Sequence, residues 1–290
     1  MGEFEKHDAC SACGWSADLQ RRCSYDSSVK LFYGASVRGV WSIGSDFVLK
    51  ERPADPPTFE VVNTQYLKAN TTIPIPDVAK EWTDKNKRHF VLMERVEGEN
   101  LKSAWPKLSQ EAKVRIAEQT AEYLQQLRKF QYGKMANLGD APIYSGWLFL
   151  QGPGTPHGPF ASDEEFWQSL SVKLDKLPEK ARNAFRKRFP PCAPYTFTHG
   201  DLTNVNIMVK DDNLAAIIDW ESAGYFPVWW EFTAAGIGLG KEDAEWKGLL
   251  RSKMQQFERG REFWKDFHKL CEYPKLDYSG QELMKELLRE

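Results

Sequence analysis

Two stretches decide the fold: Phe197-Thr-His-Gly-Asp-Leu-Thr-Asn-Val-Asn-Ile-Met208 and Ala216-Ile-Ile-Asp-Trp-Glu221. Their apolar parts predict two short strands, Asn206–Val209 and Leu214–Asp219, and the polar turn Asp211-Asp-Asn213 lies between them. A hairpin built this way returns the end of the second strand beside the start of the first. Polar side chains at the two ends are therefore expected to meet.

Three of these side chains suit phosphoryl transfer, a reaction that needs a carboxylate to orient the attacking hydroxyl and oxygen ligands to fix Mg²⁺ on the phosphates. Asp201 lies in the loop and is the predicted catalytic carboxylate. Asn206 and Asp219 are the predicted metal ligands, because Mg²⁺ favours sparse protein ligation by oxygen. His199, beside a loop glycine, is more typical of a residue that braces the loop than of a general base.

The N-terminal part predicts a small sheet with one helix. β-branched and aromatic residues indicate short strands and a hairpin; the segments are Val29–Tyr33, Ser36–Ser42, Asp46–Lys50, Val78–Trp82 and His89–Glu94. Asp55-Pro-Pro57 predicts a helix start that continues to about Ala69. Phe59, Val62 and Tyr66 would form its inward face.

After Gly98 the pattern changes to long helices. Ser109 begins one that runs to about Arg128, and Ser162-Asp-Glu-Glu165 is a capping box that opens another. A further short strand is predicted over Tyr195–Thr198. The fold class is therefore α+β, with an N-terminal arm over residues 1–28, a β-rich lobe over 29–97 and a larger, mainly helical lobe over 98–290.

Composition excludes several classes of function. The chain has 290 residues and a formal net charge of −2, so no basic field favours nucleic acid or an anionic membrane. The longest uncharged stretch, Ala141–Ser162, is interrupted by prolines and glycines and cannot form a membrane helix. Five cysteines, an odd number, favour a reducing cytoplasm over a disulfide framework. The pair Cys10 and Cys13 has metal-ligand spacing, but no second pair exists, and we reject a zinc site.

The motif His199-Gly-Asp201-Leu-x-x-x-Asn206 with Ile217-Ile-Asp219-Trp-Glu221 resembles the signature of aminoglycoside phosphotransferases and choline kinases, relatives of protein kinases. Thr71-Thr-Ile-Pro-Ile-Pro76 and Val91-Leu-Met-Glu-Arg-Val-Glu-Gly98 resemble in particular the filamentous-fungal group of such proteins. The resemblance covers about residues 30 to 240. It implies a bilobal protein-kinase-like fold and an enzyme that transfers the γ-phosphate of ATP, with Mg²⁺, to a hydroxyl of a small molecule.

The resemblance also implies roles for residues outside the central motif. Lys50 looks like the lysine that contacts the α/β-phosphates, and Glu60 looks like its ion-pair partner. The carbonyl of Glu94 and the N–H of Val96 would hold adenine. Taken alone, Lys50 fits a surface lysine better, because Glu51 and Arg52 crowd the same place, but its position one strand after a Gly-containing turn favours the phosphate contact. An acid such as Glu60 is common in a first helical turn for dipole reasons.

The chain departs from the family pattern in two places. No Gly-x-Gly-x-x-Gly follows the first strand, so the phosphate-covering loop is expected around Ser36–Ser42, with Arg38 as a source of charge where backbone N–H groups usually act. Thr203-Asn204 replaces the His-Pro pair often found inside the catalytic loop, near the acceptor. Glu221 fits a metal ligand, a group behind the ligands or a solvent-facing acid.

The acceptor is not identified by the resemblance. The mixed charges of Lys241-Glu-Asp-Ala-Glu245 predict a solvated helix face rather than a carboxylate-lined pocket for a polycation. Phe226, Trp229 and Trp230 fit core packing or, if exposed, a pocket for a flat or quaternary-amine ligand. We expect a small-molecule acceptor, no nucleic-acid or membrane partner, a cytoplasmic location, and a monomer or weak dimer.

Two alternatives to a small-molecule kinase remain. A catalytically silent pseudokinase would bind a nucleotide or a partner, but it would not need the set Lys50, Asp201, Asn206 and Asp219. A protein kinase would carry an Asp-Phe-Gly to Ala-Pro-Glu activation segment, and Asp219 is followed instead by Trp-Glu-Ser-Ala-Gly.

Overall fold

The computed structural model describes residues 9–10, 29–35, 37–56 and 58–290. Apart from a two-residue strand at Ala9–Cys10, the predicted N-terminal arm lies outside the described residues. The Cys13 thiol of the rejected zinc pair lies outside them as well.

A six-stranded antiparallel sheet forms the N-terminal part of the fold, in the order β1-β2-β3-β4-β6-β5. Its strands are β1 (Ala9–Cys10), β2 (Val29–Ala35), β3 (Arg38–Ile43), β4 (Phe47–Pro53), β5 (Val78–Thr83) and β6 (Arg88–Glu94). Helix α1 (Glu60–Asn70) packs against it, and Val61, Val91 and Met93 form a small apolar core. This arrangement is the predicted sheet with one helix.

The start of α1 differs from the prediction. The helix begins at Glu60 rather than at Asp55, and no side chain caps its first turn. The Ala54 N–H donates to the Lys87 carbonyl at 2.9 Å, so the chain continues the pairing of β4 with β6 where the prolines predicted a helix start. The buried face of the helix also differs, because Val62, predicted to face inward, is exposed, whereas Val61 is buried.

The inner face of α1 is largely polar, because polar side chains of this face bond groups that lie outside the helix. Asn63 is fully buried and donates from Nδ2 to the carbonyls of Trp220 and Ala223, at 2.9 and 3.0 Å. Glu60, at the first position, is buried as well. The helix therefore packs on the backbone that follows Asp219 and positions that segment.

The C-terminal part is mainly helical and carries two three-stranded sheets, ordered β11-β10-β7 and β12-β9-β8. The helices are α2 (Leu101–Ala104), α3 (Gln110–Leu127), α4 (Gly146–Phe149), α5 (Asp163–Ser171), α6 (Glu179–Lys187), α7 (Trp230–Ala234), α8 (Lys241–Lys253), α9 (Glu258–Leu270) and α10 (Tyr278–Arg289). The strands are β7 (Glu99–Asn100), β8 (Gln131–Tyr132), β9 (Tyr195–Thr198), β10 (Ile207–Lys210), β11 (Asn213–Ile217) and β12 (Gly224–Phe226). Single 3₁₀ turns at Leu138–Asp140, Val172–Leu174 and Trp220–Ser222 complete the set.

The predicted helix caps are present in this part. Ser109 accepts from the Ala112 N–H at the start of α3, and Ser162 accepts from the Glu165 N–H at the start of α5. One large apolar core fills the helical part, and Trp220, Trp229, Trp230 and Trp246 are fully buried in it. Within the described residues, no helix has the length and apolar character needed to cross a membrane.

Gly98 lies where the chain passes from the small sheet to the helical part. Its φ is +106°, and a Cβ placed on it would lie 2.1 Å from the carbonyl oxygen of Val209. Glu99 then pairs with Val209 of β10, which anchors the crossing to the hairpin that carries the central motif. A side chain at this position would separate the crossing strand from that hairpin.

We expect Gly98→Ala to lower the free energy of unfolding by about 1–3 kcal/mol or more, because it combines an unfavourable φ with an overlap against backbone. The measurement is denaturant unfolding followed by tryptophan fluorescence. Gly248→Ala is the control: it lies inside α8, and no atom lies within 4 Å of an added Cβ. It should be neutral or stabilising by about 0.5–1 kcal/mol. Equal stabilities for the two variants would contradict the packing described for Gly98.

Candidate active site

A buried carboxylate holds the loop after β9 through hydrogen bonds to its backbone. Glu231 of α7 accepts from the backbone N–H groups of His199 and Gly200, at 2.6 and 3.2 Å. Burial raises the pKa of Glu231 to about 7, and the two N–H groups counteract this only in part. Gly200 has a φ of +80°, which turns the chain toward Asp201.

His199 braces the same loop from within. Its Nδ1 accepts from the Asp201 N–H at 3.2 Å, and its Nε2 lies 3.0 Å from the Ile218 carbonyl. Since Nδ1 must accept and Nε2 must donate, the imidazole is neutral, and burial lowers its pKa to about 4. The side chain thus ties the loop to the end of β11, which agrees with a bracing residue rather than a general base.

Asp201 and Asn206 contact each other directly. The Asn206 Nδ2 donates to the Asp201 carbonyl at 2.9 Å and to its carboxylate at 3.3 Å. Burial raises the pKa of Asp201 to about 6, although the Lys247 ammonium opposes the shift. The Asn206 Nδ2 is thus hydrogen-bonded to Asp201. The Oδ1 atom of the same side chain accepts no hydrogen bond from any of the described residues.

Asp219 follows a strand that ends earlier than predicted. Strand β11 ends at Ile217, and Asp219 adopts a left-handed conformation with φ 68° and ψ 59°. Aspartate is among the few residues that tolerate this conformation. The turn directs the carboxylate at Lys50, with Oδ1 3.0 Å from Nζ. The Ile218 N–H donates to the Asn206 carbonyl at 3.0 Å, so the Asp219 backbone lies beside Asn206.

Lys50 of β4 bonds two carboxylates, Glu60 at the start of α1 and Asp219. Burial alone would lower the pKa of Lys50, but the two carboxylates raise it above its ordinary value, and the ammonium stays charged. For Asp219 the directions are reversed: burial alone would raise the pKa of this carboxylate, but Lys50 brings it below its usual range. Burial raises the pKa of Glu60, and its bond to Lys50 offsets this only in part. The ionic cluster joins the sheet, α1 and the central motif.

A second ionic contact lies beside this cluster. Glu221 accepts from Arg38 at 2.6 Å and also pairs with Arg52. Of the three readings left open by the sequence, a solvent-facing acid is excluded, because both carboxylate oxygens are bonded to arginines of the small sheet.

The predicted adenine-binding residues lie at the other end of β4. Glu94 ends β6 and pairs with Phe47 of β4, three residues before Lys50. The Glu94 N–H donates to the Asp77 carbonyl at 2.8 Å. Within the described chain, the Val96 N–H makes no backbone hydrogen bond. At about 3.3 Å per residue, some 10 Å of strand separates this segment from Lys50.

Two carboxylates that hold the site were missed by the sequence analysis. Asp243 accepts from the N–H of Asn204 at 2.8 Å and pairs with Lys247, so the predicted solvated face of α8 is wrong at this residue, which is 3% exposed. Glu231 is the other, and one signal could have found it. It is the one acid in the apolar run 226–235, where burial of an unpaired charge is costly and a hydrogen-bonding partner is required.

The aromatic residues considered for the acceptor are core residues. Phe226, Trp229 and Trp230 are each at most 2% exposed and pack against one another. They therefore line no exposed aromatic pocket, and their alternative role in binding a flat or quaternary-amine ligand is not supported.

Comparisons with known proteins give one family and one fold. The family model described as "phosphotransferase enzyme family" matches residues 34–267. A search of curated proteins returns no match. Among solved structures, the GDP complex of wild-type aminoglycoside 2'-phosphotransferase-IIIa has a TM-score of 0.56 at 16% identity, covering 93% of this chain and 95% of its own. The ADP-bound aminoglycoside phosphotransferase APH(2'')-Ib has a TM-score of 0.54 at 15% identity, covering 94% and 95%.

A third structure, the streptomycin-ATP-APH(2")-IIa ternary complex, has a TM-score of 0.54 at 15% identity and covers 94% of each chain. At these identities the likeness concerns the fold, and it agrees with the predicted bilobal, protein-kinase-like α+β architecture.

We expect Lys50→Met to lower the free energy of unfolding by about 2–4 kcal/mol, because it leaves Glu60 and Asp219 close together without their counter-ion. Adding Glu60→Gln should recover part of the loss, so that the double variant costs less than the sum of the single ones. The measurement is a double-mutant cycle by denaturant unfolding.

The control for this cycle is Lys107→Met. Lys107 also pairs with a glutamate, Glu99, at 2.9 Å, but both side chains are exposed. Its removal should cost less than about 1 kcal/mol. If Lys50→Met costs no more than this control, the cluster does not link the elements as described.

Proposed function

The chain belongs to the phosphotransferase enzyme family and is a phosphotransferase that acts on small molecules, and we propose that it transfers the γ-phosphate of ATP to a hydroxyl group of its acceptor, with Mg²⁺. One observation carries this proposal. The Lys50–Asp219 ion pair brings the lysine of the small sheet to the central motif, where Asn206 and Asp201 lie.

The proposed metal ligands are Asn206 and Asp219. Each retains a side-chain oxygen without a hydrogen bond from the described residues, Oδ1 of Asn206 and Oδ2 of Asp219. Within the same residues, no cluster of three or more histidines, cysteines or carboxylates could hold a metal. Two protein oxygens suit Mg²⁺, because this ion keeps water and phosphate as its other ligands and would neutralise charge on the phosphates.

Nucleotide binding is assigned to the small sheet. Lys50, fixed between Glu60 and Asp219, would present its ammonium to the α/β-phosphates. The Glu94 carbonyl and the Val96 N–H would hold adenine about 10 Å away along β4. On this basis we propose the lobe boundary between residues 97 and 98, with the nucleotide-binding lobe over 29–97 and the catalytic and acceptor groups in 98–290.

Asp201 is proposed to act on the acceptor. Its carboxylate would accept the proton of the attacking hydroxyl or hold that hydroxyl in line with the γ-phosphate. A pKa of about 6, raised by burial, leaves the group ionised at neutral pH and makes it a stronger base than an exposed aspartate. The bonds of Glu231 and His199 to the loop keep this carboxylate in place.

The first prediction of this proposal concerns nucleotide binding. Millimolar Mg-ATP should raise the melting temperature of the protein by mass action, and ATP with a chelator should raise it less. Asp219→Asn should reduce the Mg²⁺-dependent part, because a proposed ligand loses its charge. A thermal-shift titration that stays flat with every nucleotide and metal would favour the pseudokinase alternative.

The second prediction concerns turnover. Asp201→Asn should lower the rate of acceptor phosphorylation by a factor on the order of 10²–10⁴, the usual effect of positioned acid–base help. Affinity for Mg-ATP should hardly change, since the proposed metal ligands and Lys50 remain. The acceptor is sought in a panel of aminoglycosides, amino alcohols, sugars and aromatic alcohols. A rate within about threefold of the native enzyme would show that Asp201 is misassigned.

A further inference from the structure

Three cations share one face of the small sheet beside the proposed nucleotide site. Lys50 and Arg52 are two residues apart on β4 and so point to the same side. Val40 pairs with Lys50 and Gly39 with Glu51, which puts Arg38, at the start of β3, next to Arg52. Lys50 contacts Asp219, and both arginines contact Glu221, two residues further along the chain.

The two arginines differ in how firmly they are held. The Arg52 side chain is 10% exposed, and its Nη2 is buried without a hydrogen-bond partner among the described residues. The Arg38 side chain is 42% exposed, and its one side-chain hydrogen bond within the described residues goes to Glu221. One carboxylate thus faces two guanidinium groups, and the more exposed group can leave without unpairing Glu221.

At the β2–β3 turn, the Val37 carbonyl is held by an arginine of the neighbouring part of the sheet. Arg88 donates from Nη2 to the Val37 carbonyl at 2.6 Å and from Nε to Glu51 at 2.9 Å. The turn also lacks the glycine series that lets a loop wrap backbone N–H groups around phosphates. Among the described residues at this turn, Arg38 has a charged side chain, 42% exposed, that can reach an anion.

We propose that Arg38 is the phosphate-binding residue of this turn, and that Glu221 holds it in place until nucleotide binds. On binding, the Arg38 guanidinium exchanges the Glu221 carboxylate for the β- and γ-phosphate oxygens of Mg-ATP, where its planar fork can donate two hydrogen bonds. Arg52 stays on Glu221 as its counter-ion. The exchange is a movement of one side chain, and no covalent bond is made or broken. This inference rests on the proposed nucleotide site.

The test is titration calorimetry with Mg-ATP and with AMP, which lacks the β- and γ-phosphates. Arg38→Gln should weaken Mg-ATP binding about ten- to a hundredfold, as expected for lost hydrogen bonds to a charged group. AMP binding should stay within about twofold. Arg182→Gln is the control and should change neither, since Arg182 lies on α6 and pairs with Asp175, far from β3 and β4 in the chain.

Glu221→Gln separates this exchange from a structural role. Loss of the competing carboxylate should strengthen Mg-ATP binding about two- to fivefold, the range of one partly exposed ion pair. The gain should vanish in the Arg38→Gln/Glu221→Gln double variant, because no arginine remains to be released. Weaker Mg-ATP binding by Glu221→Gln would overturn the inference and indicate a metal ligand instead.

The outcomes also separate this inference from the proposed function. If the native protein binds neither Mg-ATP nor AMP, both fail together. If the native protein binds Mg-ATP and Arg38→Gln binds it equally well, the inference is wrong and the proposed function stands. Equal losses of Mg-ATP and AMP affinity in Arg38→Gln would assign Arg38 to the structure of the sheet, which also overturns the exchange.

Discussion

The architecture of the site depends on one ammonium group, Lys50, placed between two carboxylates from different parts of the chain. Glu60 begins the helix of the small sheet, and Asp219 ends the central motif of the helical part. Glu60 is buried and Lys50 is largely shielded from water, so these charges require partners, and the position of each partner constrains the other two. The sheet, α1 and the motif are thereby held in one arrangement, and the second contact at Glu221 repeats the same connection beside it.

Around this cluster, buried polar side chains form hydrogen bonds with the buried backbone of loops. Glu231 accepts from two N–H groups of the loop that carries Asp201, Asp243 accepts from a third, and Asn63 donates to two carbonyls after Asp219. Irregular backbone buried among apolar side chains would otherwise lack hydrogen-bond partners. A rigid loop follows, which suits a site where the protein contributes position and charge rather than covalent chemistry.

The sequence predicted those parts that depend on local pattern or on the central motif. The strands around the Asp201 loop and the serine-capped helices follow from short-range signals, and the family model confirms the resemblance carried by the motif. The start of α1 was misplaced, since a long-range bond from Ala54 to Lys87 overrides the Asp-Pro-Pro signal. The buried Asp243 was missed because its partner, the Asn204 N–H, lies far away in the chain. Roles assigned to the site residues remain predictions.

Strand β4 links the two ends of the proposed nucleotide site, because it contains Lys50 and pairs with Glu94 of β6. Phe47 lies beside Glu94, and Lys50 lies three residues further along. The number of residues between Phe47 and Lys50 therefore sets the distance between the proposed adenine and phosphate contacts. Inserting one residue between the two points would turn the lysine to the opposite face of the sheet, whereas inserting two would keep the face but add nearly 7 Å. Insertions can therefore accumulate in the loops of this lobe far more readily than between Phe47 and Lys50.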